Sequence, residues 1–289
     1  MFVLVTGAGG QLGSDLLDLL KARGISARGY DLPKLDVTNP SAVEKLLAVE
    51  NPTHVIHCAA YTAVDKAEDE RELCRRVNVD GTENVARACK NIGAVMLYLS
   101  TDYVFDGSGE KTWMEEDTPA PLNWYGQCKL NGENAVRKQL DKYFIVRTSW
   151  VFGKNGGNFV KTMLRLGREK PELSVVSDQI GSPTYTRDLA VVLVEMLYSE
   201  AYGTYHVTNG GFCSWYEFAS EIFRMAGIST PIRPVTTAEY RATAQRPLNS
   251  RLSKEKLAET GFPVPYSWED ALMRFLLEID EYKTEGSVP

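Results

Sequence analysis

Residues 125–129 read YGQCK, a tyrosine followed one helical turn later by a lysine. A phenol with a pKa of about 10 is a poor acid–base group at neutrality. An ammonium on the same helical face favours the phenolate and brings that value down. Such a pair can deliver a proton to a carbonyl oxygen. Spacing alone does not establish it, because a chain with 14 tyrosines is expected to hold roughly one chance match, and YDLPK at 30–34 is another. Position separates the two. Tyr125 follows a Pro-containing loop and lies in a helical stretch reaching about Gln139, whereas Pro33 breaks any helix between Tyr30 and Lys34. Thr101 ends the apolar run VMLYLST (95–101), at the carboxyl edge where open α/β sheets bind ligands. Thr101 can hold a carbonyl beside the phenol, Tyr125 can protonate its oxygen while hydride reaches the carbon, and Lys129 can also reach a nicotinamide ribose.

The hydride source is written at the N-terminus. In LVTGAGGQLG (4–13), Gly7, Gly10 and Gly13 follow a strand and open a helix. That pattern allows a tight turn, close approach of a pyrophosphate and close helix–sheet packing. The helix N-terminus adds free N–H groups and a positive dipole end. Asp31 closes the second strand, where a carboxylate accepts hydrogen bonds from an adenosine ribose diol and favours NADH. Arg28 nearby offsets its repulsion of a 2′-phosphate, so NADH and NADPH both stay open.

These residues need a scaffold that brings strand ends together. FVLVT (2–6), SARGYD, THVIHCAA, VMLYLST and FIVRTSWVF (144–152) read as strands, and amphipathic helices separate them. The alternation predicts an α/β fold, a Rossmann-like doubly wound parallel sheet with right-handed crossovers. Asn39–Pro40 starts one helix and Gly93 ends another. Beyond 152 the rhythm loosens. TRDLAVVLVEMLYS reads as an apolar helix, GTYHVTN as a late strand of the main sheet, and Ser214 with Glu217 as a capping box. Pro-containing loops fill 229–266, Ser267 caps a last helix, and the tail from Asp280 is expected to fray. The division expected is a dinucleotide-binding unit over 1–152, rejoined by 184–209. A smaller, interleaved substrate region then takes 153–183 and 210–289.

Composition narrows the classes. A net charge of −6 and a pI near 5.3 argue against non-specific binding to nucleic acid or an anionic membrane. No run approaches the roughly 18 apolar residues of a membrane span. MFVLVTG reads as a first strand and not as a signal peptide. Cys58, Cys74, Cys89, Cys128 and Cys213 are scattered without a C-x-x-C, so neither a disulfide framework nor a zinc site is indicated. The setting expected is the reducing cytoplasm. His54, His57 and His206 lie in or beside apolar strands and read as structural.

With G-x-x-G-x-x-G and Y-x-x-x-K in these places, the chain resembles the extended short-chain dehydrogenase/reductase family. The stretches GQLG, LDVT, AAYTAVDKAE, STDYVFDG, RTSWVFG, DQIGSPT and RPLNSRL narrow the likeness to a nucleotide-sugar reductase branch across 4–252. The resemblance implies reduction of a 4-keto-6-deoxy sugar on dTDP, the last step towards dTDP-L-rhamnose for polysaccharide synthesis. It places Gly10, Gln11 and Leu12 at the pyrophosphate and Asp36 and Val37 near the adenine. Ala60, Tyr61 and Thr62 would line the cofactor, with Leu99 under the nicotinamide ribose. Thr101 and Asp102 would contact the sugar. Trp150 would stack on it or fill core, and Arg246 would pair with a substrate phosphate or in a surface ion pair. Some relatives bind magnesium between subunits, and Asp15 matches one such position. No other ligand matches, so no essential protein-bound metal is expected, and a homodimer stays open. In the dehydratases of the family a Glu follows the Asp after the Thr. Tyr103 stands there instead, which disfavours dehydration. An epimerase and a non-catalytic regulatory subunit are the remaining alternatives.

Overall fold

The computed structural model describes residues 1–283. β1 (Phe2–Thr6) turns through glycines into α1 (Gln11–Ala22), and β2 (Ser26–Tyr30) follows. α2 (Pro40–Glu50) begins at Asn39, whose side chain accepts the Ala42 N–H at 3.1 Å. Proline in its first turn sacrifices no hydrogen bond, because that N–H has no helical partner. β3 (His54–His57), α3 (Val64–Ala67) and α4 (Arg71–Arg75) come next. A π turn over Arg76–Gly81 then feeds α5 (Thr82–Ile92), closed by Gly93 in the left-handed conformation. β4 (Val95–Thr101), α6 (Trp124–Gln139) and β5 (Tyr143–Thr148) complete the first half.

The run FIVRTSWVF does not continue as one strand, contrary to expectation. Trp150 takes a left-handed φ of 49°. The chain leaves the sheet after Thr148 and resumes as β6 (Val151–Phe152) in a separate pairing. α7 (Phe159–Glu169), β7 (Leu173–Val176), β8 (Ile180–Gly181) and β9 (Thr184–Tyr185) lead to α8 (Thr186–Met196) and β10 (Gly203–His206). β11 (Cys213–Ser214) precedes α9 (Trp215–Ala226), which carries the Ser214–Glu217 capping box. The stretch 229–266 is more ordered than its prolines suggested. It holds β12 (Ile232–Val235), parallel to β7, and the short helices α10 (Thr237–Tyr240) and α11 (Glu255–Glu259). α12 (Trp268–Glu278) ends the fold.

The main sheet runs β10-β5-β4-β3-β1-β2 with every pair parallel, as a doubly wound sheet requires. Leu12, Leu16 and Leu20 of α1 pack with Leu189 and Leu193 of α8 over one face. Val43 and Leu47 of α2, Val85 and Cys89 of α5 and Val136 of α6 cover the other. A second core gathers Phe152, Leu164, Phe218, Ile222 and Phe275. Leu257 and Phe262, expected with the smaller region, join the first core instead. The tail does not fray where it is described: Glu281 pairs with Arg168, and the Lys283 N–H donates to the Met225 carbonyl at 2.8 Å. Residues 284–289 lie outside the described part.

Candidate active site

The carboxyl ends of β1, β2, β3, β4 and β5 open on a cavity of about 760 Å³, within the usual range for a ligand site. Its phosphate end is built by the glycine turn. Gly7 has a φ of +66°, and a Cβ there would sit 2.6 Å from the Ala59 nitrogen. A Cβ at Gly13 would lie 2.2 Å from the Gly7 carbonyl oxygen, so only glycine lets α1 pack onto the turn. Gly10 stands at the N-cap of α1 with no side chain closing the helix end. The first-turn N–H groups therefore face the cavity with a positive dipole end, which fits a pyrophosphate. Gln11 and Leu12 line the same wall. Asp31 accepts the Gly9 N–H at 3.1 Å and the Leu32 N–H at 2.9 Å, which aims its carboxylate along the turn. Asp36, Val37, Ala60, Tyr61, Thr62 and Leu99 also border the cavity.

At the other end the candidate trio converges. The Asn123 side chain caps α6 by accepting the Gly126 N–H at 2.8 Å. A Cβ at Gly126 would approach the Tyr103 carbonyl oxygen to 2.2 Å, so this glycine lets α6 begin against the end of β4. Tyr125 and Lys129 point to that strand end from one helical face. Lys129 Nζ donates to the Leu99 carbonyl at 2.6 Å and lies 4.2 Å from the Tyr98 ring centre. Burial drops the Lys129 ammonium to about 7, against the opposing pull of Glu133. The Tyr125 side chain lies within interaction range of Thr101, and both line the cavity. Its pKa does not fall as the lysine spacing suggested. Burial, with the Asp102 carboxylate beside it, raises it. Desolvation outweighs an ammonium whose own charge burial has already weakened.

Behind the trio, Glu133 accepts from Ser100 Oγ at 2.6 Å, Arg147 Nε at 2.9 Å and Arg147 Nη2 at 2.8 Å. This buried network ties α6 to the ends of β4 and β5. Asp102 lines the cavity, yet its carboxylate is engaged with Thr101 and Ser250. Trp150 borders the cavity and stacks on Trp215 with ring centres 3.6 Å apart. Trp215 was not singled out in the sequence, where it reads as an ordinary first residue of a helix. Arg246 is the one candidate outside the cavity lining. Its guanidinium grips Asp65 at 3.0 and 2.6 Å, the ion-pair alternative. The Asp15 carboxylate accepts a hydrogen bond from Thr186. His57 bonds Thr6 Oγ1 at 2.7 Å and is held neutral by burial, down to about 3.

Known proteins with this arrangement share most of the chain. The spore coat polysaccharide biosynthesis protein SpsK of Bacillus subtilis is 43% identical over 96% of this chain and 97% of its own length. The dTDP-4-dehydrorhamnose reductase of Escherichia coli K12 is 38% identical over 96% and 98%. The crystal structure of dTDP-4-dehydrorhamnose reductase from Bacillus anthracis, in complex with NADP, superposes with a TM-score of 0.94 at 48% identity. It covers 96% of this chain and 99% of that one. The model of the RmlD substrate binding domain matches residues 1–281, and the chain belongs to that family.

Proposed function

We propose that the chain reduces the 4-keto group of dTDP-4-dehydro-6-deoxy-L-mannose to give dTDP-L-rhamnose, with NADH or NADPH as the reductant. The observation that carries this reading is the convergence of Thr101, Tyr125 and Lys129 at the far end of a cavity that starts at an uncapped helix N-terminus. The dihydronicotinamide supplies hydride. The protein's own part is to hold the ketone and give its oxygen a proton.

Tyr125 is suited to that direction of reaction. Its raised pKa keeps the hydroxyl protonated at neutral pH. An alkoxide is a stronger base than a phenolate, so the proton still transfers downhill as negative charge grows on the sugar oxygen. Lys129 offsets the charge left on Tyr125. Gly10, Gln11, Leu12 and the first turn of α1 hold the pyrophosphate, and Asp31 the adenosine ribose. Trp150, with Trp215 against it, offers an apolar wall to a deoxysugar. We assign the coenzyme to residues 1–152 and 184–209, the sugar nucleotide largely to 153–183 and 210–289, and the setting to the cytoplasm. A homodimer is compatible with this arrangement. Among the described residues no helix is long and apolar enough to cross a membrane.

The test is consumption of NADH or NADPH with dTDP-4-keto-L-rhamnose, followed by absorbance and by identification of the sugar product. One coenzyme oxidised per dTDP-L-rhamnose formed is expected. Epimerised product without net oxidation identifies an epimerase, and coenzyme binding without turnover identifies a regulatory subunit.

A further inference from the structure

Asp102 is buried, 3% exposed, directly after the end of β4. Its Oδ1 accepts the Thr101 hydroxyl at 3.0 Å and its Oδ2 accepts the Ser250 hydroxyl at 2.6 Å. Ser250 is itself 3% exposed and belongs to the strap 247–252, which is fixed at both sides. The Ser250 N–H donates to the Ile180 carbonyl at 2.7 Å, and the Asn249 N–H to the Gly107 carbonyl at 3.1 Å. The strap therefore carries a hydroxyl from the smaller region onto the carboxylate next to the catalytic threonine.

A threonine hydroxyl has one proton to give and two lone pairs to accept with. In Thr101 one lone pair takes the Tyr103 N–H at 3.2 Å. When Asp102 is a carboxylate it only accepts, so Thr101 must donate to it. Its proton then runs away from the place of the ketone. When Asp102 carries a proton, its O–H can fill the remaining lone pair of Thr101. Thr101 is then free to donate to the sugar oxygen beside Tyr125. Resting on the reductase reading above, we infer that Asp102 is a positioning residue that directs the Thr101 proton onto the ketone when it is protonated, with Ser250 opposing that state.

The surroundings agree. Burial pushes Asp102 up to about 6, and the Ser250 and Thr101 hydroxyls hold it down. The ionisable groups around it are Tyr125 and Lys129 on α6, Tyr103 beside it, and Arg246 with Asp65 beyond Tyr103. Lys129 is bonded to the Leu99 carbonyl and Arg246 to Asp65, so neither cation neutralises the carboxylate.

The experiment measures kcat against pH from 5 to 9 with saturating NADH and dTDP-4-keto-L-rhamnose, using the full chain. Ser250→Ala removes a donor to the carboxylate, so the fall of kcat with rising pH should move up by about one pH unit. Ser250→Thr, which keeps the hydroxyl, should restore the original position. Asp102→Asn places an amide N–H on Thr101 and a carbonyl oxygen on Ser250, an imitation of the protonated acid. In that background Ser250→Ala should cause no shift. A shift that persists with Asn at 102, a downward shift, or no shift overturns the inference. If the Asn variant does not fold, the Ala and Thr pair decides: equal profiles for the two overturn it. Wild-type protein that consumes no NADH with the ketosugar overturns the reductase reading and this inference together. Normal wild-type turnover with an unmoved Ser250→Ala profile overturns this inference alone.

Discussion

Glu133→Gln is the perturbation whose cost can be worked most directly from the structure. The Glu133 and Arg147 side chains are 0% and 1% exposed and meet at 2.8 Å. Burial pushes the Glu133 carboxyl up, yet Arg147, Ser100 and Arg137 together hold it below the usual carboxylate range. Gln keeps one oxygen that can accept from Arg147 but presents an NH2 in place of the other, so the buried guanidinium loses its counter-charge and one of its two bonds to residue 133, with the Glu115 carbonyl at 3.2 Å as a further acceptor. Breaking such a pair from one side costs about 3–5 kcal/mol, since a desolvated charge loses its partner. At roughly 2–4 °C per kcal/mol for a chain of this size, the melting temperature should fall by about 6–20 °C. Arg147→Met should cost less, because Glu133 keeps the Arg137 guanidinium at 2.8 Å and the Ser100 hydroxyl at 2.6 Å. The decisive variant is Glu133→Leu with Arg147→Met, which removes both charges at similar volume and should be more stable than Glu133→Gln alone. Calorimetry or urea titration measures all three. A double variant that loses the sum of the single losses would refute the reasoning, since the cost would then lie in packing and not in a stranded charge.

Tyr125→Phe should keep coenzyme affinity while lowering kcat by about 10²–10⁴, the usual worth of a positioned acid; near-normal turnover removes the assignment. Lys129→Met should weaken coenzyme binding. It should also flatten the profile near pH 7, because the Lys129 ammonium, held at about 7, is present below that pH and lost above it. An unchanged profile shows that this ammonium does not act on the phenolate. Asp31→Ala should raise kcat/KM for NADPH relative to NADH by roughly tenfold. That lies between the ~1 kcal/mol of two charges 4 Å apart in water and the ~4 kcal/mol near a protein surface. A constant ratio means the carboxylate never faces the 2′-position.

The trio and the glycine turn were legible because local pattern determines them. A turn that must pass under a phosphate has to be glycine, and a tyrosine and lysine four apart share a face in any helix. What escaped depends on contacts between distant segments. FIVRTSWVF has strand propensity throughout, and nothing in its own residues announces a break at Trp150. The break goes with a left-handed backbone at Trp150, its stack on Trp215, and Gly181, where a Cβ would lie 2.8 Å from the Trp150 ring. Arg246 had the right chemistry for a phosphate, and in this structure its guanidinium is held by Asp65, a partner from a distant segment that the local sequence does not announce. The order within 229–266 was hidden for the same reason, since β12 exists by pairing with β7, some sixty residues earlier.

The misjudged pKa of Tyr125 is the instructive case. A lysine one turn away is a local feature, and in water it would lower a phenol. Burial is set by the whole fold: Tyr103 against Tyr125, Asp102 closed over by Ser250, and the strap fixed to Gly107 and Ile180. In that enclosure the ammonium and the phenolate each lose stabilisation, so Lys129 moves down while Tyr125 moves up. A site arranged in this way favours the neutral phenol and therefore the giving of a proton. A phenol kept below neutrality would serve the reverse reaction, taking a proton from an alcohol. The protonation state of Tyr125 thus depends on how completely distant segments bury it, a property that no five-residue motif contains.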